Sequence, residues 1–201
     1  MPFIIVIEFL AVISAAIFGV LLAARKGMDI TGVFAVAFAI SFGGGTLRDL
    51  FLDRHPLFWI ANPHYVVAVF IISMAAGLVL RFVTRIKPFL IYPDALGMGL
   101  FTMSGTALAM DSGTAWFLAV ILGTITGTFG GVIGEIICNE IPSLFRPGPL
   151  AATCSFTGAW VYPVATHFGL SAPVSMILGT AVVFLFRLAG LRWKWQFPAV
   201  R

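Results

Sequence analysis

The residues most able to do chemistry lie in one short apolar stretch, Phe42 to Phe51, which reads FGGGTLRDLF. Its three consecutive glycines tolerate backbone conformations that other residues resist. Arg48 and Asp49 follow them inside a run that is long and apolar enough to cross a membrane. A charged side chain costs about 2.5–3.5 kcal/mol at the centre of a bilayer. Arg48 and Asp49 lie outside the centre, in the outer half, where the cost is smaller. Their presence within a span indicates either a hydrated pathway or an ion pair between helices.

Catalytic and metal-binding patterns are not evident in the sequence. The three histidines lie near the ends of apolar runs, without the His-Glu-x-x-His spacing of a metal site, and no Ser-His-Asp or Cys-His set stands out. We therefore expect no enzyme activity, no cofactor and no tightly bound metal. Cys138 and Cys154 fall in or near apolar segments, which favours buried small side chains over a disulfide or a metal site.

The composition of the chain is that of an integral membrane protein. Of the 201 residues, 60% are hydrophobic and 10% are charged, and the mean hydropathy is +1.06. Soluble domains carry about 25% charged residues. The net charge of +4 comes from basic residues that lie between apolar runs, so it predicts no nucleic-acid partner. We expect a single transmembrane domain over residues 1–201, surrounded by membrane lipids.

Seven apolar runs of roughly 20 residues predict an all-α fold with seven transmembrane helices. Short connections with turn-forming residues join these runs. The predicted spans are 3–24, 30–53, 64–85, 91–110, 114–139, 149–168 and 171–191.

The basic residues predict the orientation of the chain. If the N-terminus is outside, ten of the twelve lysines and arginines are cytoplasmic, whereas Arg54 lies in an outer loop and Arg48 within a span. This asymmetry follows the positive-inside rule. We therefore expect a multi-pass protein of the inner (plasma) membrane with a cytoplasmic C-terminus. The ten residues are Arg25, Lys26, Arg81, Arg85, Lys87, Arg146, Arg187, Arg192, Lys194 and Arg201.

The two halves of the chain repeat at an offset of 86 positions, with no gap between Glu8 and Pro63. Acids, glycines and prolines keep this one offset, which is stronger evidence than shared leucine or alanine. The matched pairs include Glu8 with Asp94, Gly27 with Gly113, Gly44-Gly45 with Gly130-Gly131, Asp49 with Glu135 and Pro56 with Pro142. Because each copy holds three spans, we predict an inverted repeat, about 3–85 and about 90–168, followed by a seventh helix at about 171–191.

Inverted repeats in transport proteins place the permeation site between the halves, near the membrane midplane, on interrupted helices. The two glycine segments lie at equal depth in the second and fifth spans, measured from opposite faces. The expected kinks are at Gly43, Gly44, Gly45, Gly130 and Gly131, and the pathway-lining or gating candidates are Arg48, Asp49, Glu135, Glu8, Ser104 and Thr128.

Two simpler interpretations of these residues stay open. Arg48 could form a structural ion pair with Asp49 or Glu8, although neighbours on a helix point about 100° apart, which disfavours the Asp49 pairing. Gly123, Gly127 and Gly131, at four-residue spacing, are more typical of a close helix contact than of chemistry.

The strings GGGTLRD at 43–49 and FGGVIGE at 129–135 resemble the prokaryotic branch of the trimeric intracellular cation channel (TRIC) family, which overlaps bacterial glycine-transporter-like membrane proteins. The resemblance implies a homotrimer with one pore in each subunit, permeable to K⁺ and other monovalent cations. Bacterial relatives often repeat Arg-Asp in the second half, whereas this chain has Gly134-Glu135. A basic residue of the fifth span in the animal branch is also absent, which leaves Arg48 as the expected deep basic residue.

The first functional hypothesis is thus a cation channel, in which Asp49 and Glu135 favour cations and Arg48 forms a barrier or latch. The alternative is a secondary transporter of a small solute such as glycine, with Arg48 as the partner of a carboxylate. A third class is a non-conducting membrane scaffold, in which the buried charges only join helices.

Overall fold

The computed structural model describes residues 2–79, 90–146, 150–193 and 195. Every regular element within these residues is helical, which confirms the all-α prediction. The helices are α1 (Pro2–Arg25), α2 (Ile30–Phe51), α3 (Phe58–Ala61), α4 (Pro63–Val79), α5 (Ile91–Asp111), α6 (Trp116–Ile137), α7 (Ala151–Ala159), α8 (Val161–His167) and α9 (Ala172–Arg192).

Four of these helices, α1, α2, α6 and α9, are long and apolar enough to cross a membrane. Helix α4 is shorter, with 17 described residues, and α5 is long enough but less apolar. The predicted sixth span is divided at Trp160 into α7 and α8. The prediction of seven spans therefore stays a prediction, and residues 80–85 and 149 of the predicted spans lie outside the described residues.

The local backbone repeats with the same offset of 86 positions as the sequence. Gly27 and Gly113, in the turns after α1 and α5, have φ angles of 69° and 80°. Asp53 and Asn139, in the turns after α2 and α6, have φ angles of 50° and 54°. Left-handed backbone is uncommon outside glycine. Its recurrence at equivalent positions indicates that the two halves share local structure and not only composition.

Helices α2 and α6 cross at the two glycine segments, and their contact is symmetric. A β-carbon on Gly44 would collide with the carbonyl oxygen of Thr126, and one on Gly130 would collide with the carbonyl oxygen of Ile40. Ile40 and Thr126 are themselves equivalent under the 86-residue offset. Gly134, later on α6, packs against the side chain of Ile40, earlier on α2, so the helices run antiparallel. Glycine allows this backbone-to-backbone approach because it has no β-carbon.

The expected interruption of these helices is not found. Helix α2 continues through its three glycines, and α6 continues through Gly130 and Gly131. The glycines serve the close crossing of two intact helices, so the prediction of interrupted helices is wrong for these residues. A bend within each continuous helix stays a prediction.

The glycine spacing on α6 predicted a helix contact, and two of its three members confirm it. β-carbons on Gly123 and Gly127 would collide with Thr106 and Thr102 of α5. Gly131 differs, because no described atom lies within 4 Å of its β-carbon position. The third member of the series therefore faces open space instead of a neighbouring helix.

An ion cluster joins two connections at one face of the molecule. Glu140, after α6, lies 2.6 Å from Arg25 Nη2 and 2.8 Å from Lys26 Nζ, measured from its Oε1. The hydrogen bond from Lys26 holds the pKa of Glu140 below its ordinary value. The end of α6 therefore lies on the face where α1 ends and α2 begins.

We predict that Gly44→Ala and Gly130→Ala each lower the melting temperature of the purified protein in detergent. The added methyl group meets backbone atoms that move only with their helix, and overpacking of this kind costs about 1–3 kcal/mol. Gly131→Ala is the matched control, because its β-carbon position is open within the described chain. Fluorescence-detected size exclusion after heating measures the effect. Equal melting temperatures for Gly44→Ala and Gly131→Ala would contradict the symmetric crossing.

Candidate functional site

Arg48 of α2 lies at the centre of a buried ion cluster and has 0% of its surface exposed. Its Nη1 donates to Oε1 of Glu8 on α1 at 2.8 Å, and its Nε donates to Oδ1 of Asp49 at 2.9 Å. Ser104 of α5 accepts from Nη1 at 3.1 Å and donates to Glu8 at 3.1 Å. The cluster thus joins α1, α2 and α5, and it brings together four of the candidate site residues, Arg48, Glu8, Asp49 and Ser104.

The ion-pair interpretation of Arg48 is confirmed by its contact with Glu8. The argument that helical neighbours would not pair is wrong here, because Nη2 of Arg48 also lies 2.8 Å from Oδ1 of Asp49. The arginine side chain is long enough to bring its planar guanidinium group back to the adjacent carboxylate. Two carboxylates against one guanidinium leave the cluster with a formal charge of −1.

The second oxygen of Asp49 holds the segment that follows α2. The backbone N–H of Phe58, the first residue of α3, donates to Asp49 Oδ2 at 2.7 Å. The ring centroid of Phe58 lies 5.1 Å from Cζ of Arg48, within the range of a cation–π contact. The same ring occupies the space beside Gly45. Helix α3 therefore closes over the arginine from one side.

The second repeat keeps the acid of this arrangement but not the arginine. Glu135, equivalent to Asp49, accepts a hydrogen bond at 2.7 Å from the backbone N–H of Ser143, in the connection after α6. The position equivalent to Arg48 is Gly134, where a β-carbon would collide with the side chain of Ile40. Each acid thus holds the segment after its own helix, and only the first has an arginine beside it in sequence.

Two cavities lie at opposite ends of α1 and α5. The Asp49 cavity, about 280 Å³, is lined by Glu8 and Asp49 and by the C-terminal end of α5 at Asp111. The Glu135 cavity, about 160 Å³, is lined by Glu135 and by the N-terminal part of α5 from Asp94 onward. No described residue lines both cavities.

Residues that are equivalent under the 86-residue offset line the two cavities. The repeat therefore extends from the sequence and the backbone to the walls of the candidate pathway. The equivalent pairs are Ile4 with Leu90, Ile5 with Ile91, Glu8 with Asp94, Asp49 with Glu135, and Phe58 with Leu144.

Aromatic rings and the arginine cluster lie between the two cavities. Phe58 lines the Asp49 cavity, Phe101 lines the Glu135 cavity, and their ring centroids are 6.5 Å apart in an edge-to-face arrangement. Arg48, which contacts Phe58, has no exposed surface. The two rings therefore separate the cavities at this point.

The remaining predicted site residues divide between helix packing and the Glu135 cavity. Gly43, like Gly44 and Gly45, is packed against its surroundings, since its β-carbon would meet the side chain of Ile133. Gly130, Gly131 and Thr128 line the Glu135 cavity. The hydroxyl of Thr128 donates to the carbonyl oxygen of Thr124 at 2.7 Å, which is the common use of threonine within a helix. Among the described residues, no group of three potential metal ligands comes together.

One functional residue was missed in the sequence, Arg187 of α9. It had been counted among the cytoplasmic residues, yet it is buried, with 6% of its surface exposed, and it lines the Glu135 cavity. Its Nη2 donates to Oδ2 of Asp94 at 3.1 Å. Because Arg187 lies near the end of α9, the expectation that Arg48 is the deep basic residue stays a prediction. The sequence did contain a signal for it. Asp94 is equivalent to Glu8, but the position equivalent to Arg48 is Gly134, so an arginine for Asp94 had to come from elsewhere in the chain.

The family of the chain follows from comparison with known proteins. The sequence model of the family described as "Glycine transporter" matches residues 5–81 and again residues 91–167, two ranges related by the same offset of 86. The chain belongs to this family. The family unit is one repeat of three predicted spans, and the chain carries it twice.

Curated relatives and solved structures agree with this assignment. The UPF0126 inner membrane protein YadS of Escherichia coli K12 is 31% identical over 198 residues, 96% of this chain and 95% of YadS. The UPF0126 membrane protein of Vibrio cholerae is 33% identical, over 91% of this chain and 77% of its own.

Among solved structures, the TRIC trimeric intracellular cation channel orthologue from Rhodobacter sphaeroides superimposes with a TM-score of 0.90, at 31% identity, over 96% of this chain and 99% of that chain. A prokaryotic TRIC channel in 0.5 M KCl superimposes with a TM-score of 0.88 at 25% identity, over 94% and 96%. A TRIC channel from C. elegans, at 12% identity and a TM-score of 0.65, shares the fold. The resemblance that the glycine strings indicated is confirmed.

We predict that Arg48→Met strongly lowers the melting temperature, because it leaves Glu8 and Asp49 buried together without a cation. Breaking a buried ion pair from one side costs about 3–5 kcal/mol. Adding Glu8→Gln and Asp49→Asn to this variant removes the uncompensated charges and is expected to restore part of the loss.

Arg54→Met is the matched control, since the side chain of Arg54 is 42% exposed and its Nη1 lies 3.9 Å from Asp49. An exposed pair contributes about 0–1 kcal/mol. Arg48→Met and Arg54→Met with the same melting temperature would show that the buried cluster does not hold the helices together.

Proposed function

We propose that this protein is a monovalent cation channel, permeable to K⁺, with one pathway in each subunit of a homotrimer. The pathway begins in the Asp49 cavity, passes the crossing of α2 and α6, and ends in the Glu135 cavity. The observation that carries the proposal is the pair of acid-lined cavities at opposite ends of α1 and α5. The close structural match to solved TRIC cation channels supports it.

The charges of the cavity walls favour cations over anions. In the Asp49 cavity, Glu8 and Asp49 are opposed by Arg48, and the outer residues Arg54 and Asp111 balance each other. The wall and its cluster therefore have a formal charge of −1. A fixed negative charge in a cleft raises the local concentration of cations.

The Glu135 cavity reaches the same formal charge of −1 with different residues. Asp94 and Glu135 are opposed by Arg187. The pathway is thus negative at both ends, while its centre holds the buried guanidinium of Arg48. A cation would be concentrated at either end and held back at the centre, which is the role of a latch.

Opening of the pathway would involve the segment that covers Arg48. Phe58 contacts the guanidinium by its ring and Asp49 by its backbone N–H. A movement of α3 would release both contacts at once and uncover the space beside Gly45. We propose this segment as the gate of the Asp49 side, with bends at Gly43–Gly45 and Gly130–Gly131 as the accompanying motion of α2 and α6.

We further propose seven membrane spans in an inverted repeat, with α7 and α8 together forming the sixth and α9 the seventh. The antiparallel crossing of α2 and α6 supports the inversion, because these helices are equivalent in the repeat. Arg25, Lys26 and Arg146 lie around Glu140 at one face. By the positive-inside rule this face is cytoplasmic, which places the N-terminus outside and the C-terminus inside.

A secondary transporter of a small solute such as glycine is the second candidate. The description of the matched family favours it, and so does the separation of the two cavities, since alternating access requires a site closed on one side at a time. The two candidates differ in rate. A conformational cycle takes microseconds to milliseconds, so ohmic currents above about 10⁷ ions per second would exclude a transporter.

We predict unitary currents when the purified protein is reconstituted into planar bilayers with KCl on both sides. Glu135→Gln is expected to lower the unitary conductance about two- to fourfold. Removing one unit charge at roughly 5–8 Å in water lowers the local cation concentration by this factor. Glu140→Gln, which removes an acid outside the two cavities, is the control and should leave conductance unchanged.

The two candidate functions give opposite results in this experiment. Saturable uptake of labelled glycine into proteoliposomes without unitary currents would contradict the channel and support the transporter. If neither flux appears while a control channel incorporates normally, both are wrong and the buried charges serve only to join helices.

A further inference from the structure

We infer that Arg187 of α9 sets the fixed charge of the Glu135 cavity and thereby the cation selectivity of the pathway. It supplies to the second repeat the guanidinium that Arg48 supplies to the first. This inference rests on the proposed channel function and adds a selectivity-determining residue from outside the repeat.

The equivalence begins with the carboxylates. Glu8 and Asp94 are equivalent under the 86-residue offset, and each lines the cavity of its own half. Glu8 is bound by Nη1 of Arg48 at 2.8 Å, and Asp94 by Nη2 of Arg187 at 3.1 Å. The same acid position thus has a guanidinium in both halves, from α2 in one half and from α9 in the other.

The crossing of α2 and α6 explains why the second guanidinium comes from another helix. The position equivalent to Arg48 is Gly134, and a β-carbon there would collide with Cγ1 and Cδ1 of Ile40. An arginine at this point would require the side chain of Ile40 to move away. Helix α9 packs along α5 and brings Arg187 to Asp94.

The two arginines differ in how they meet the pathway. Arg48 is fully buried and lies between the cavities, whereas Arg187 lies in the wall of the Glu135 cavity. The side chain of its partner Asp94 is 25% exposed. A charge at a water-lined wall acts on ions through the local potential. Arg187 therefore tunes the ion population of the cavity, while Arg48 obstructs the passage.

Substitutions at Asp94 and Arg187 change the formal charge of the cavity wall by one unit each. Counted over the described residues of its wall, Asp94, Glu135 and Arg187, the formal charge of the cavity is −1. Arg187→Gln makes it −2, Asp94→Asn makes it 0, and the double substitution returns it to −1. Arg192→Gln, at the exposed end of the same helix, is the control that removes a charge outside the cavity.

The measurement is the reversal potential of the full-length channel in a KCl gradient across a planar bilayer. The ratio of K⁺ to Cl⁻ permeability is expected to rise about four- to sixteenfold in Arg187→Gln and to fall by a similar factor in Asp94→Asn. One unit charge at roughly 5–8 Å in water changes the local K⁺ concentration about two- to fourfold and the Cl⁻ concentration by the same factor in the opposite direction. The double variant should match the unsubstituted chain, and so should Arg192→Gln.

A purely structural ion pair would give a different pattern, in which both single variants lose stability and the permeability ratio does not follow the charge. If Arg187→Gln does not fold, the double variant and Asp94→Asn still differ by one charge, so their permeability ratios must differ about four- to sixteenfold. If the variants conduct but have equal ratios of K⁺ to Cl⁻ permeability, the role of Arg187 is wrong and the channel proposal still stands. Failure of the unsubstituted chain to conduct would overturn the channel proposal together with the role of Arg187.

Discussion

The close approach of two backbones at Gly44 and Gly130 is the constraint around which the rest of the structure is arranged. Gly44 lies against the carbonyl oxygen of Thr126, four residues before Gly130, and Gly130 lies against that of Ile40, four residues before Gly44. The contact is therefore symmetric between the two halves. No side chain separates α2 from α6 there. The Glu135 cavity opens directly beside the crossing, with Ile40, Thr126 and Gly130 in its wall. The glycines therefore determine where a pathway can widen and where it must be narrow.

Burial of charge follows from this geometry. Acids at equivalent positions hold the segment after each crossing helix, Asp49 through Phe58 and Glu135 through Ser143. Buried or half-buried carboxylates need compensating cations. The first half supplies a guanidinium beside Asp49 in sequence, which also binds Glu8, whereas the second half has glycine there and receives a guanidinium at Asp94, the equivalent of Glu8, from Arg187 of α9. An element outside the repeat thus completes it.

Much of this arrangement could be predicted from the sequence, because the residues that repeat are of types that few other residues can replace. Glycine, proline and acids at one offset predicted the paired crossing and the candidate acids. Features that depend on a neighbour in space could not be predicted. The intact helix through the glycines reflects contact with another helix, and the partner of Asp94 lies 93 positions away in Arg187. The division of the predicted sixth span at Trp160, by contrast, has a local signal in Pro163, which lacks the N–H of a regular helix.

The central claim is a single pathway that is entered from opposite faces through the two cavities. Cysteine accessibility in the reconstituted channel tests it most directly, with Cys138 and Cys154 replaced by serine and one cysteine placed at Ala61 or at Gly131, one in each cavity. A charged, membrane-impermeant thiol reagent should reduce the current of Ala61→Cys from one face only, and that of Gly131→Cys from the opposite face only. Modification of both from the same face, or no effect on current at either position, would contradict the claim.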